Sequence, residues 1–249
     1  MRTASEGAGH SPAIAPDHPT RRIEREELGR LCRVAGPGAL LAGVDEVGRG
    51  SLAGPVSVGI AVIDATTPDL FPAGLRDSKQ LTAHTREQLV DACRAWPRAV
   101  TVGHADPAYI DAHGIIAALR KAASGALQQL EAKGLRPDGV LLDGTHNWWD
   151  AAGLFDRDLL PELPVRTVVK GDAACAVIAA ASVVAKVERD AMMVRYARLH
   201  PGYDWEHNKG YSSKRHIEAL AALGPTPLHR TSWHLPGLNP GREPKERRR

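Results

Sequence analysis

No stretch of this 249-residue chain is long and uncharged enough to cross a bilayer, and its N-terminus lacks the apolar core of a secretory signal. Cysteine is scarce: Cys32, Cys93 and Cys175 stand far apart, with no Cys-x-x-Cys pair. That argues against a disulfide framework or a zinc site and fits a reducing compartment. A soluble cytoplasmic protein is expected. Aromatic residues make up only 4% of the chain, while alanine, glycine and arginine abound, which reads as genome composition rather than function. No internal repeat of solenoid length is visible. The net charge is only +3, and Arg242, Lys245, Arg247, Arg248 and Arg249 against Glu243 and Glu246 supply all of it. The total charge therefore gives no argument for a nucleic-acid partner.

What is present is ordinary globular material, 43% hydrophobic and 24% charged, in a chain long enough to bury a real core. Residues 1–20 have no periodicity and read as disordered; Arg21–Cys32 reads as a short helix ended by Gly36-Pro37-Gly38. Strands are predicted at Leu40–Asp45, Val56–Ile63, Ala99–His104, Gly139–Gly144 and Val165–Lys170. Helices are predicted at Thr82–Ala95, capped by Thr82 or Thr85, and at Asp106–Leu130 with Gly114 out of place inside it. Two more are predicted, Ala173–Arg198 with Asp172 as N-cap, and about 212–223. The alternation predicts an α/β sheet with helices packed on it. The basic residues 239–249 are expected to be a disordered tail.

One run stands apart, Gly43-Val44-Asp45-Glu46-Val47-Gly48-Arg49-Gly50-Ser51-Leu52-Ala53-Gly54-Pro55-Val56. Adjacent carboxylates close an apolar strand and are followed at once by a glycine-flanked arginine. Paired acids suit a hard divalent cation, and glycines let backbone approach a substrate that a Cβ would push away. Two further strand ends carry acids, Asp143 before Gly144 and Asp172 after Gly171. In open α/β sheets ligands gather beyond the carboxyl ends of strands, so the four acids can converge. Each has a plainer reading alone: Asp-Gly as a turn, Asp172 as a cap. Together they suit two Mg²⁺ or Mn²⁺ ions placed for hydrolysis of a phosphodiester.

These residues resemble the ribonuclease HII family, the type 2 ribonucleases H. The resemblance runs from Asp45-Glu46-Val47-Gly48-Arg49-Gly50 through Asp77-Ser78-Lys79-Gln80-Leu81, Leu142-Asp143-Gly144 and Lys170-Gly171-Asp172. It continues through Ala180 to Asp190, Lys209-Gly210-Tyr211, His216 and Pro227-Leu228-His229-Arg230, in the family's order. It implies an α/β, ribonuclease H-like mixed five-stranded sheet flanked by helices, with a C-terminal helical extension. The catalytic domain would span 38–238, after an N-terminal extension, 1–37, that is disordered or partly helical. The implied activity is metal-dependent cleavage of the RNA strand of RNA–DNA hybrids and of duplex DNA on the 5′ side of embedded ribonucleotides. It would leave 3′-hydroxyl and 5′-phosphate ends, and a monomer acting without a membrane is expected.

By the same resemblance, Asp45, Glu46, Asp143 and Asp172 are the catalytic metal-binding acids, with Mn²⁺ or Mg²⁺ at a two-ion site. Gly48, Arg49 and Gly50, with Tyr211, would recognise the ribose 2′-hydroxyl, the group that separates RNA from DNA. Ser182 and Lys186 share a helix face and would contact a phosphate, although Lys186 with Asp190 also reads as a surface pair worth ~0.3–0.5 kcal/mol. Ser78 and Lys79 resemble a second phosphate-binding pair. His146, His216 and His229 read as scaffold, and Trp148-Trp149 as core or loop anchors, with base stacking as the alternative.

The chain departs from the family pattern at Ser51, where proline is frequent, at Thr145, often asparagine, and at Gly114, expected as asparagine. Two other readings fit the residues less well. The ribonuclease HIII branch typically carries Gly-Thr-Gly in the loop, a glutamate as fourth acid and an N-terminal binding domain, for which the segment before residue 38 is too short. A non-catalytic hybrid-binding module would lack one or more of the acids, and all four are present.

Overall fold

The computed structural model describes residues 18–151 and 159–238. The expectations for residues 1–17 and for the 239–249 tail lie outside them. Five strands form one mixed sheet: β1 (Leu41–Val47), β2 (Val56–Ile63), β3 (Ala99–Ala105), β4 (Gly139–Asp143) and β5 (Val165–Val168). The spatial order is β3-β2-β1-β4-β5. The β1–β2 and β2–β3 pairs are antiparallel, and β1–β4 and β4–β5 are parallel. β1 is thus central and runs alongside β4, so Asp45 and Asp143 leave the sheet at the same edge.

Two apolar layers cover the sheet. On one face α1 (Arg22–Ala35), α2 (Ala83–Ala95) and α5 (Ala176–Leu199) bury Leu28, Leu31, Cys93 and the whole Ala176–Ala181 segment against Leu41, Ala61 and Ile63. On the other, α3 (Pro107–Glu131) buries Leu119, Ala122 and Ala126 against Val44, Val58 and Ile60, together with Trp148 and Trp149. α5 can lie this close because the strands beneath it carry glycine. A Cβ on Gly59, the register partner of Asp45, would sit 2.5 Å from the Ala181 carbonyl oxygen. Alanine-rich helix and glycine-bearing strand are thus two halves of one close approach.

Most predicted elements form where expected, with informative differences. β1 continues two residues past Asp45, so Asp45 and Glu46 are still paired in the ladder, opposite Gly59 and Val58. β5 stops at Val168 because Lys170 turns left-handed (φ 53). Thr82, Asp106 and Ser213 cap α2, α3 and α7 (Lys214–Leu223) through their side chains. Gly114 breaks α3 into two segments at φ 81, ψ 167, a left-handed conformation that glycine adopts freely.

One expectation is corrected. Asp172 does not cap the long helix: it lies inside the one-turn α4 (Gly171–Ala174), and extended Cys175, bridged to Thr20, separates α4 from α5. The cap comes from elsewhere. Buried Glu24 of α1 accepts the Val177 amide with Oε1 at 2.7 Å and is held by Arg21 Nε at 2.7 Å.

The C-terminal part, with α6 (Trp205–Asn208) and α7, packs a third cluster of Leu52, Met193, Tyr203, Trp205 and Leu220 against the end of α5. Among the described residues no helix is long and apolar enough to cross a membrane.

Candidate active site

Strand alternation sends neighbouring side chains to opposite faces. Asp45 falls on the α5 face, where it is buried beside Ser182, whose hydroxyl donates to Ser78 Oγ at 2.8 Å. Burial above all, then the charges of Asp143, Glu46 and Asp172, pushes its carboxyl well above the usual range. Glu46 falls on the α3 face. Its Oε2 accepts Trp148 Nε1–H at 3.2 Å and its Oε1 accepts Arg49 Nη1–H at 3.0 Å.

Asp143, last residue of β4, accepts the Gly171 amide at 2.6 Å. That bond locks the β4 end to the start of α4, so Asp172 is carried to the same place. Burial and the Asp172 charge push Asp143 upward as well. Lys79 Nζ reaches Asp172 Oδ2 at 2.9 Å from the 3₁₀ turn at Ser78–Gln80, and Asp172 holds its ammonium pKa above the ordinary value. Asp77, to which no role was assigned from sequence, joins them: burial, aided by its contact with Asp172, raises its pKa.

Asp45 therefore feels the charges of the other three predicted acids, and Asp143 that of Asp172, while the Glu46 carboxylate is turned toward Trp148. The site is an open one. Among the described residues the acids, cysteines and histidines whose ligand atoms all come within 4.8 Å of one another in threes are Asp204, Glu206 and His207, not the strand-end set. Like charges in a partly dry site repel, and here the Lys79 ammonium beside Asp172 supplies compensation. An all-oxygen donor set that is costly to ionise fits hard divalent cations.

Beside the acids, the Gly48 amide donates to Tyr211 Oη at 3.2 Å across 163 residues of sequence. Gly48 has φ +81, and a Cβ there would lie 2.0 Å from Arg189 Nε, so only glycine fits. Tyr211 is 36% exposed, leaving its ring available at the surface. Its carbonyl accepts from His216 Nδ1 at 2.9 Å. Thr226 N–H donates to His229 Nδ1, which assigns the remaining proton to His229 Nε2 for its 3.1 Å bond to His216 Nε2. Both histidines are buried and neutral-favouring, with His229 drawn down to about 4 by desolvation.

The other sequence candidates are placed as follows. Ser78 and Ser182 are buried, with Oγ atoms 2.8 Å apart, directly behind Asp45. Lys186 Nζ is engaged by both Asp190 oxygens at 2.5 and 2.7 Å. Trp148 and Trp149 are both 1% exposed, which rules out base stacking and makes them anchors. Sequence reading assigned nothing to Arg189 and Arg230, which lie buried under the glycine loop. Only the tertiary contacts reveal them.

The ribonuclease HII family model matches residues 42–235. A ribonuclease HII of Streptomyces avermitilis is 45% identical over 215 residues, covering 86% of this chain and 83% of that one. The ribonuclease HII in a PCNA complex from Archaeoglobus fulgidus superposes with a TM-score of 0.62 at 25% identity, over 83% of this chain and 98% of that one. The Mn²⁺ complex of Bst ribonuclease HIII shares the fold, with a TM-score of 0.59 at 20% identity, over 92% and 73% of the two chains. Family match, identity over most of the length and the mixed five-stranded sheet agree: the chain belongs to the ribonuclease HII family and is a type 2 endoribonuclease H.

Proposed function

We propose that the chain is a divalent-metal-dependent endonuclease that hydrolyses the RNA strand of RNA–DNA hybrids and nicks duplex DNA on the 5′ side of embedded ribonucleotides. The products carry 3′-hydroxyl and 5′-phosphate ends. Its catalytic unit spans 38–238, with α1 packed on that unit from outside, and the three free cysteines support a cytoplasmic setting. The observation that carries the reading is the adjacency of two devices on one edge of the sheet: Asp45 and Asp143, both raised by burial and by neighbouring carboxylates that include Asp172, and the Gly48–Tyr211 contact.

Asp45, Glu46, Asp143 and Asp172 would hold the ions, Mn²⁺ or Mg²⁺; the bound Mn²⁺ of the HIII relative supports the choice of class. When bound, such ions activate water and stabilise the leaving oxygen of an in-line displacement. The protein's own part is positional. Gly171 orients Asp143, and Trp148 with Arg49 orients Glu46. Gly48, Arg49 and Gly50 offer backbone polar groups to the ribose hydroxyl, with the Tyr211 ring against the neighbouring sugar. Lys79, Ser78, Ser182 and Lys186 are assigned to the phosphate side. Lys79 is 72% exposed and would exchange Asp172 for a phosphate, as Lys186 would exchange Asp190.

Incubation with duplex DNA carrying one ribonucleotide, and with an RNA–DNA hybrid, in Mg²⁺ or Mn²⁺ tests this. A nick on the 5′ side of the ribonucleotide is expected. Cleavage of neither substrate in either metal overturns the reading, and cleavage of the hybrid alone narrows it to the first activity.

A further inference from the structure

Two guanidiniums lie beneath the glycine loop with 0% exposure, and among the described residues neither makes an ion pair. A buried cation without an anion is costly, so its place needs a reason. Every polar contact of Arg230 is a loop carbonyl: Nη2 donates to Gly48 O at 2.6 Å and Gly54 O at 3.1 Å, Nη1 to Arg49 O at 2.8 Å, and Nε to Gly54 O at 3.3 Å. Arg189 takes the other side. It donates to Pro55 O at 2.9 Å, Lys209 O at 3.0 Å, Ala53 O at 3.3 Å and Ser51 Oγ at 2.8 Å. Its guanidinium also lies 5.5 Å from the Tyr211 ring centroid. Ser51 is itself fully buried and shares its one proton between Gly48 O at 2.9 Å and Ala53 O at 3.0 Å.

Peptide planarity turns these inward bonds into an outward consequence. In a trans peptide the C=O and the following N–H point in opposite directions. Pinning Gly48 O and Arg49 O onto Arg230 therefore aims the Arg49 and Gly50 amides away from the buried side. Among the described residues neither amide has an acceptor.

We propose that Ser51, Arg189 and Arg230 form a buried positioning network that pre-sets the Gly48-Arg49-Gly50 loop against Tyr211 and thereby sets the enzyme's preference for ribose over deoxyribose. This rests on the assignment of the loop to the ribose hydroxyl made above. None of the three side chains touches substrate. They act by removing the freedom of the loop, so that the two outward amides need no rearrangement when a hydroxyl arrives.

The test compares Ser51→Ala, Arg189→Lys and Arg230→Lys with the unaltered protein, each first shown to melt cooperatively. Two quantities are read: kcat/KM on a duplex with one ribonucleotide in Mg²⁺, and affinity for the all-DNA duplex of the same sequence, which offers no 2′-hydroxyl. The network predicts a fall in kcat/KM of about tenfold for Ser51→Ala and about 100-fold for Arg230→Lys, with all-DNA affinity unchanged. Hydrogen exchange at amides 48–54 should also quicken in the variants, while the melting temperature of Ser51→Ala stays near that of the unaltered protein. Should an arginine variant fail to fold, Ser51→Ala decides. Unaltered kcat/KM and exchange in folded variants overturn the network, as does an equal loss on both duplexes. An unaltered protein that does not nick overturns the assigned activity instead, and the exchange measurement still decides the network.

Discussion

The Glu24 carboxylate accepts the Val177 amide at 2.7 Å, so a side chain of α1 caps α5 from 153 residues away. Asp172, four residues before Ala176 on the other side of extended Cys175, is thereby left free to face Asp143 and Lys79. Glu24→Gln keeps the shape and weakens the cap while leaving Arg21 without its buried partner. The expected loss is about 1–3 kcal/mol, read as a lower denaturation midpoint with unchanged slope. Because the site itself is untouched, kcat at a temperature where the variant is folded should stay within about twofold.

Trp148 is the corresponding support on the opposite face. Trp148→Phe retains most of the buried ring and deletes the N–H that holds Glu46 Oε2. A hydrogen bond to a charged group contributes about 1.5–3 kcal/mol, so kcat should fall roughly tenfold or more with the fold retained. An unaltered kcat would show that Arg49 alone fixes Glu46.

Asp143→Asn should reduce nicking by roughly 10²–10³-fold or more while preserving the melt. The same substitution tests the metal. Mg²⁺ or Mn²⁺ at about 100 times its dissociation constant should stabilise the unaltered protein by about 2.7 kcal/mol, a rise of roughly 5–10 °C in Tm. The rise should shrink in Asp143→Asn and vanish with a chelator. A full rise in that variant would remove Asp143 from the ion-binding set.

Acid should loosen the C-terminal cluster. His229 has its pKa lowered from 6.5 to about 4, chiefly by burial, with neighbouring His216 adding to it. The unfolded chain therefore takes up a proton that the folded one refuses. Its contribution to stability is present above pH 6.5 and is lost as the pH falls from 6.5 toward 4. A protonated His229 would also face the Thr226 amide with a donor. Thermal melts across this window should show Tm falling by about 5 °C or more on this account, with a flatter acid limb in His229→Gln. Equal slopes for the two proteins would exclude His229 as the source.

Much of the framework is legible in the chain itself. Apolar runs closed by Asp45 and Asp143, the cap at Thr82, and the ordered motifs from Asp45 to Arg230 give the sheet, its flanking helices and the family. These features depend on neighbours a few residues away, where backbone geometry and side-chain chemistry act locally. The pairing of Gly48 with Tyr211 was also anticipated, through the resemblance, although no local rule connects residues 163 apart.

The remainder was decided by tertiary structure. Asp172 read as a helix cap because a carboxylate before a helix usually is one, and the distant Glu24 that takes over that duty has no sequence mark. Arg189 and Arg230 read as ordinary basic residues, since only packing shows that they are buried against carbonyls. Lys186 had two open partners, and in this structure it holds Asp190. Sequence determined which groups can be charged, capped or left bare of a Cβ; the fold determined which of them meet. The reason is physical: desolvation and hydrogen-bond geometry depend on the whole packed surrounding, and that surrounding is assembled from segments far apart in the chain.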